Sequence, residues 1–159
     1  MNRANIYLPI TAMILTAALA IPAAAQQQVP FMGTFQGSDT VTPPATISTN
    51  ATGAGTHLGK FSFNQQTTVS SPASATGSAR WMAANGDSID STSVVSAIPG
   101  PVVWTVTEIH TITGGTGRFT GAQGSFTLHR KHVVALSDDG THVTFGWFEG
   151  TITSPGAAQ

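Results

Sequence analysis

Ionisable side chains recur at alternate positions of three β-type segments in the C-terminal part of this 159-residue chain. Each shares its predicted strand face with apolar residues, because successive strand side chains point to opposite faces. Carboxylates and imidazoles can move protons, and an arginine can hold a carboxylate with two parallel bonds. The pattern therefore predicts a polar cluster on an apolar surface, made of Glu108, His110, Arg130, His132 and Glu149.

The three segments are residues 102–113, 125–136 and 141–153, and each is predicted to be a strand. In the first, Trp104 shares the face of Glu108, and the opposite face is rich in Thr. In the last, Trp147 shares the face of Glu149. Trp104 and Trp147 are therefore candidate ligand-binding residues beside the cluster. A further Trp lies at Trp81, and at least two of the three are expected to line the interior.

Two interpretations of the cluster stay open on the sequence alone. Charged groups in an apolar cavity can orient a ligand oxygen or move a proton. The same groups can also form a satisfied ion-pair network that plugs one end of the fold. Four of the five aspartates fall in turn-like segments and are expected to be solvated: Asp39, Asp87, Asp138 and Asp139.

Other site chemistries are not supported by the sequence. The five histidines come from several predicted strands and both faces, and cysteine is absent, so no metal site is predicted. The glycine-rich segment 114–124 lacks the Gly-Lys-Ser/Thr ending of a phosphate loop. No serine lies in a Gly-x-Ser-x-Gly elbow, and no cofactor is predicted.

The N-terminus predicts export. Arg3 precedes an apolar run over residues 10–21 and an Ala-rich site, which is the pattern of a secretory signal peptide cleaved after Ala25. Residues 1–25 are therefore the predicted signal peptide, residues 26–30 a flexible leader, and residues 154–159 a disordered tail. The expected location is secreted or periplasmic. No later segment is predicted to insert stably into a membrane.

The mature chain carries too little positive charge to capture nucleic acid. Removal of Arg3 leaves five Lys and Arg against seven Asp and Glu, a net charge of 5 − 7 = −2. No basic stripe is visible, so nucleic acid is not an expected partner.

Residues 31–153 are predicted to form one all-β domain. Further strands are expected at 31–37, 56–69, 73–84 and 88–97, with Asn85-Gly86 as a hairpin turn and residues 38–54 as a long irregular connection. Long strands with open edges invite aggregation, and full closure removes edges. The prediction is a single closed antiparallel β-barrel of about eight strands, favoured over a sandwich.

Three motifs carry a family resemblance: GTHLGKF at 55–61, AANGD at 83–87 and GGTGRFTGAQGSF at 114–126. With them the chain resembles the allene oxide cyclase/dirigent-like β-barrels, in particular small exported bacterial members of unassigned role. The resemblance implies an eight-stranded barrel with a lumen. Plant members are often trimeric and act on apolar or phenolic intermediates, so a homo-oligomer and such a ligand are expected partners. No catalytic residue of the family is matched, so none is assigned.

Three functions follow as hypotheses. The first is an exported barrel that binds a small apolar or phenolic ligand in its lumen. The second is an isomerase or cyclase that uses Glu108 or Glu149 with Arg130 for acid/base chemistry. The third is a non-catalytic structural protein of the envelope or matrix.

Overall fold

The protein is a closed antiparallel β-barrel in a computed structural model that describes residues 27–153. Each strand pairs with its neighbours along the chain, and the first pairs with the last. The strands are β1 (Gln28–Thr42), β2 (Thr46–Gly55), β3 (Gly59–Ser71), β4 (Ser74–Ala83), β5 (Ser88–Ile98), β6 (Val103–Gly115), β7 (Gly124–Leu136) and β8 (His142–Thr153). The predicted fold class is confirmed, whereas the predicted signal peptide and tail lie outside the described residues.

Closure is made by a long ladder between β1 and β8. The ladder extends from the pair Gln28 and Thr153 to the pair Asp39 and His142. Because β1 begins at Gln28, residues 28–30 are part of the barrel wall and not of a separate leader. Among residues 27–153, no helix is long and apolar enough to cross a membrane.

The prediction that residues 38–54 form an irregular connection is wrong. β1 continues to Thr42, a short turn follows, and β2 begins at Thr46. β2 has few large apolar side chains, since its inward positions are small residues such as Ala51 and Gly53. Large rings from other strands occupy that part of the lumen, so β2 needs no bulk of its own.

The two ends of the barrel differ. The turns after β1, β3, β5 and β7 lie at one end, here called the mouth. The other three turns lie at the opposite end, here called the closed end, together with Gln28 and Thr153. Leu58, Phe119 and Ala122 from these turns are buried there.

The glycine-rich connection between β6 and β7 forms part of the closed end. It contains a short 3-10 helix over Gly117–Phe119, and Gly117 and Gly121 have φ values of 56° and 71°. Asp87 Oδ2 accepts a hydrogen bond from the Arg118 backbone N–H at 3.4 Å and lies 3.6 Å from Arg118 Nε. Arg118 therefore braces the turn, and the glycines provide its left-handed backbone.

Aromatic rings fill the half of the lumen next to the closed end. The set, here called the aromatic core, comprises Phe31, Phe35, Phe61, Phe63, Trp81, Phe126 and Phe148. Trp81 has no exposed surface, and its ring centroid lies 4.1 to 5.4 Å from four of these rings. A Cβ built on Gly53 would lie 2.6 Å from Phe61 Cζ, so inward glycines make room for the rings.

Candidate functional site

A layer of polar side chains crosses the lumen between the aromatic core and the mouth. The layer, here called the polar layer, comprises Asp39, Thr49, Gln65, Glu108, His110, Arg130 and His132. They come from β1, β2, β3, β6 and β7. All except His132 are buried, so the fold itself must satisfy their charges and hydrogen bonds.

Arg130 is the centre of the polar layer. Its Nη1 donates to Asp39 Oδ1 at 3.0 Å and to Oδ2 at 3.1 Å, and it lies 3.1 Å from Thr49 Oγ1. Its Nη2 lies 2.8 Å from Glu108 Oε1. One guanidinium thus joins two carboxylates that arrive from β1 and β6.

The remaining polar contacts of Glu108 come from β3 and from its own strand, β6. Gln65 Nε2 donates to Glu108 Oε2 at 2.6 Å, and His110 Nε2 lies 3.4 Å from the same oxygen. His110 Nδ1 lies 3.0 Å from Ser91 Oγ. The imidazole of His110 also stacks on Phe126, with ring centroids 4.7 Å apart, which joins the polar layer to the aromatic core.

Asp39 is held from the side of the mouth. His132 Nδ1 lies 2.6 Å from Asp39 Oδ2, and Thr49 Oγ1 donates to Asp39 Oδ1 at 2.6 Å. Since an ionised carboxylate only accepts hydrogen bonds, His132 Nδ1 carries the proton of this contact. Nε2 is therefore the ring nitrogen of His132 that is left for other partners.

Both carboxyl groups are ionised at neutral pH. Burial alone would raise the pKa of Glu108, but the charge of Arg130 and the contacts with His110 and Gln65 lower it to about 2. Burial likewise opposes ionisation of Asp39, and His132, Arg130 and Thr49 together lower its pKa below the usual value. The polar layer therefore contains two carboxylate anions, Asp39 and Glu108, beside one permanent cation, the Arg130 guanidinium.

An open cavity of about 370 Å³ lies between the polar layer and the mouth. Its walls are mostly apolar and include Val69, Val95, Trp104 and Val106. Arg130, His132 and Thr67 from the inner strand faces also line it. Small-molecule sites commonly combine an apolar wall with a few polar groups that orient the ligand.

Four predicted site residues, Glu108, His110, Arg130 and His132, come together in the polar layer. Trp104 is predicted correctly to face the lumen, where it lines the cavity. Glu108 is fully buried and is not among the residues that line the cavity. With a pKa of about 2 it is a weak base and carries no proton to donate at neutral pH.

The inward orientation predicted for Trp147 and Glu149 is wrong. Both are exposed on the outer face of β8, and Trp147 stacks there on His129 with ring centroids 4.0 Å apart. The inward positions of β8 include Thr144, Gly146 and Phe148. Thr144 and Gly146 are small because large rings from other strands occupy the lumen beside them. The larger apolar side chains of this part of β8, such as Trp147, lie on the outer face, so their alternation led to the wrong face being predicted as the inner one.

The predicted solvation of Asp39 is also wrong, since Asp39 is fully buried in the polar layer. Phe31, Phe35 and Asp39 share one face of β1, so the alternation starting from the two rings would have placed Asp39 inside. The prediction ended β1 at Gly37 because Thr and Pro residues follow. Gln65 was missed too, although it follows Phe61 and Phe63 on one face of β3.

Two histidines, His132 and His142, lie near the mouth. His132 and His142 have ring centroids 4.7 Å apart. Within residues 27–153, no group of three or more His, Cys, Asp or Glu side chains is arranged to hold a metal ion.

Comparison with known proteins gives a structural relative. No family model and no curated protein matches the chain. Among solved structures, the pterocarpan synthase dirigent protein GePTS1 is similar, with a TM-score of 0.53 and 10% sequence identity. The match covers 89% of this chain and 99% of that chain. The fold is that of a dirigent-like barrel. At this identity the similarity extends to the dirigent-like fold alone.

Proposed function

We propose that this chain is an exported dirigent-like barrel that binds a small, largely apolar ligand in the mouth of its lumen. The observation that carries the proposal is the cavity of about 370 Å³ with apolar walls and Arg130 and His132 at its inner side. Export rests on the signal-peptide pattern before Ala25. The dirigent-like relative supports the proposal through the shared architecture.

The cavity favours ligand binding over the two other hypotheses. A structural protein gains nothing from an unfilled cavity, because empty space forfeits packing. The isomerase or cyclase hypothesis places Glu108 or Glu149 at the ligand, together with Arg130. Glu108 lies ionised outside the cavity lining, and Glu149 is on the outer surface.

The test uses N-phenyl-1-naphthylamine, an uncharged dye that brightens in apolar surroundings. We expect saturable binding of one dye per barrel. Ala97, which lines the cavity, is changed to Phe to block it. Ala54 is exposed on the outer face of β2, in a shallow surface groove, and Ala54→Phe is the matched control.

The proposal requires that Ala97→Phe abolish dye binding and Ala54→Phe preserve it, with both variants folded by circular dichroism. No binding to the wild-type protein would refute the proposal. Loss of binding in Ala54→Phe alone would place the dye in the outer groove and would also refute it.

A further inference from the structure

We infer that the ligand in the mouth cavity is uncharged and presents an acceptor oxygen, such as a carbonyl, to Arg130, and that the site rejects carboxylates. The inference rests on the proposed function. It follows from an unused hydrogen-bond donor and from the charge balance of the polar layer.

The unused donor is the Arg130 Nε–H group. Nε is buried and has no hydrogen-bond partner among the described residues, whereas Nη1 and Nη2 contact Asp39 and Glu108. Arg130 also lines the cavity. Guanidinium nitrogens only donate, and a buried donor without a partner is unfavourable. Nε itself has almost no accessible surface, so an oxygen acceptor that enters from the mouth would satisfy it once the Arg130 side chain turns towards the cavity.

The charge balance disfavours an anionic ligand. Asp39 and Glu108 are ionised and Arg130 is the single permanent cation, so the sum is 1 − 2 = −1 with neutral histidines. The titratable groups that face them are His110, His132 and, at the mouth, His142. A ligand carboxylate would be a third anion beside one guanidinium whose Nη atoms are already engaged.

The cavity walls indicate the chemical character of the rest of the ligand. Val69, Val95, Val106 and Trp104 surround the space above Arg130. A compact aromatic or alicyclic body therefore matches the walls, with its oxygen directed to the polar layer.

The experiment measures displacement of the dye at pH 8 by three compounds with one shared ring system: 2-ethylnaphthalene, 2-acetonaphthone and 2-naphthoate. The ketone adds an acceptor to the ethyl compound, and the acid adds a charge. We expect the ketone to bind about tenfold tighter than 2-ethylnaphthalene, the size of one charge-assisted hydrogen bond. We expect 2-naphthoate to bind at least about tenfold more weakly than the ketone.

A variant pair tests the charge argument separately. Glu108→Gln removes one anion of the polar layer, so the preference for ketone over acid should fall by about fivefold or more. Glu149→Gln removes an anion on the outer face and should leave that preference unchanged. If Glu108→Gln does not fold, the three compounds on the wild-type protein still decide.

The outcomes separate the two proposals. Failure of the dye and all three compounds to bind would refute the proposed function itself. Equal affinities of the ethyl compound and the ketone, with the dye still bound, would refute only the acceptor. Tighter binding of 2-naphthoate than of the ketone, or an unchanged preference in a folded Glu108→Gln protein, would refute charge rejection.

Discussion

Arg130 couples the charges of the polar layer, because both buried carboxylates depend on its guanidinium. It contacts Asp39 at 3.0 Å and Glu108 at 2.8 Å. Removal of one partner from a buried ion pair leaves an uncompensated charge and is far more costly than removal from an exposed pair. The polar layer should therefore tolerate little change at this residue.

Arg130→Met should lower the free energy of unfolding by about 3 to 5 kcal/mol, since it leaves two carboxylates buried without a cation. Arg80→Met is the matched control, because Arg80 bonds Asp90 at 2.8 Å on the exposed surface. It should cost less than about 1 kcal/mol. Urea unfolding of both variants measures the contrast, and equal losses would contradict the central role of Arg130.

Acid should destabilise the protein through Glu108. Its pKa is lowered from 4.5 to about 2, so its stabilising contribution is complete above pH 4.5 and is lost as the pH falls towards 2. A shift of this size corresponds to roughly 3 kcal/mol. Unfolding measured between pH 6 and pH 2 should show the fall, and Glu108→Gln should flatten the curve. A pH profile unchanged by that substitution would show that other groups cause the acid loss.

At the scale of strands, large aromatic side chains lie beside glycines on the inner face of the barrel. A Cβ on Gly53 would lie 2.1 Å from the Thr34 carbonyl oxygen and 2.6 Å from Phe61 Cζ. β2 can therefore approach β1 and the aromatic core only without a side chain there. The inward glycine is a packing requirement and not a turn signal.

Gly53→Ala should destabilise the fold by about 1 to 3 kcal/mol, the usual range for overpacking a well-filled core. The neighbouring Thr52 is exposed on the outer face, and Thr52→Ala should change stability by less than about 1 kcal/mol. Thermal and urea unfolding of both proteins measures the difference. Gly53→Ala at wild-type stability would mean that β1 and β2 can separate freely.

The sequence predicts strands best where large apolar residues alternate with polar ones. β6 shows this alternation, so the inward faces of Trp104, Glu108 and His110 are predicted correctly. β2 and β8 have small residues at several inward positions. In β2 the apolar-polar contrast between the two strand faces is therefore lost, and in part of β8 it is reversed. Asp39 was missed because it lies in the part of β1 beyond Gly37, where Thr and Pro residues obscure the strand, and because its partner Arg130 is 91 residues away along the chain. Single-strand patterns do not contain such contacts.

At the scale of the molecule, closure gives every strand two hydrogen-bonded neighbours. Seven of the eight strands contribute side chains to the polar layer or the aromatic core, and β5 contacts both through Ser91, which bonds His110 and Trp81. Small domains connected in this way usually unfold as one cooperative unit.

Single-tryptophan variants can test this cooperativity. Trp81 lies in the aromatic core, Trp104 at the cavity and Trp147 on the outer face. With the other two tryptophans changed to Phe, each variant should show coincident midpoints by its own fluorescence and by circular dichroism. An earlier fluorescence transition at Trp104 alone would show that the mouth opens independently.

The ladder from β1 to β8 brings Gln28 opposite Thr153, both at the end remote from the cavity. A short peptide linker could therefore splice the two positions, and a new chain break could be made in the loop at 138–140. Such a circular permutant would retain all eight strand pairings while its free ends lay beside the mouth. The order in which the strands are synthesised is thus separable from the architecture they build.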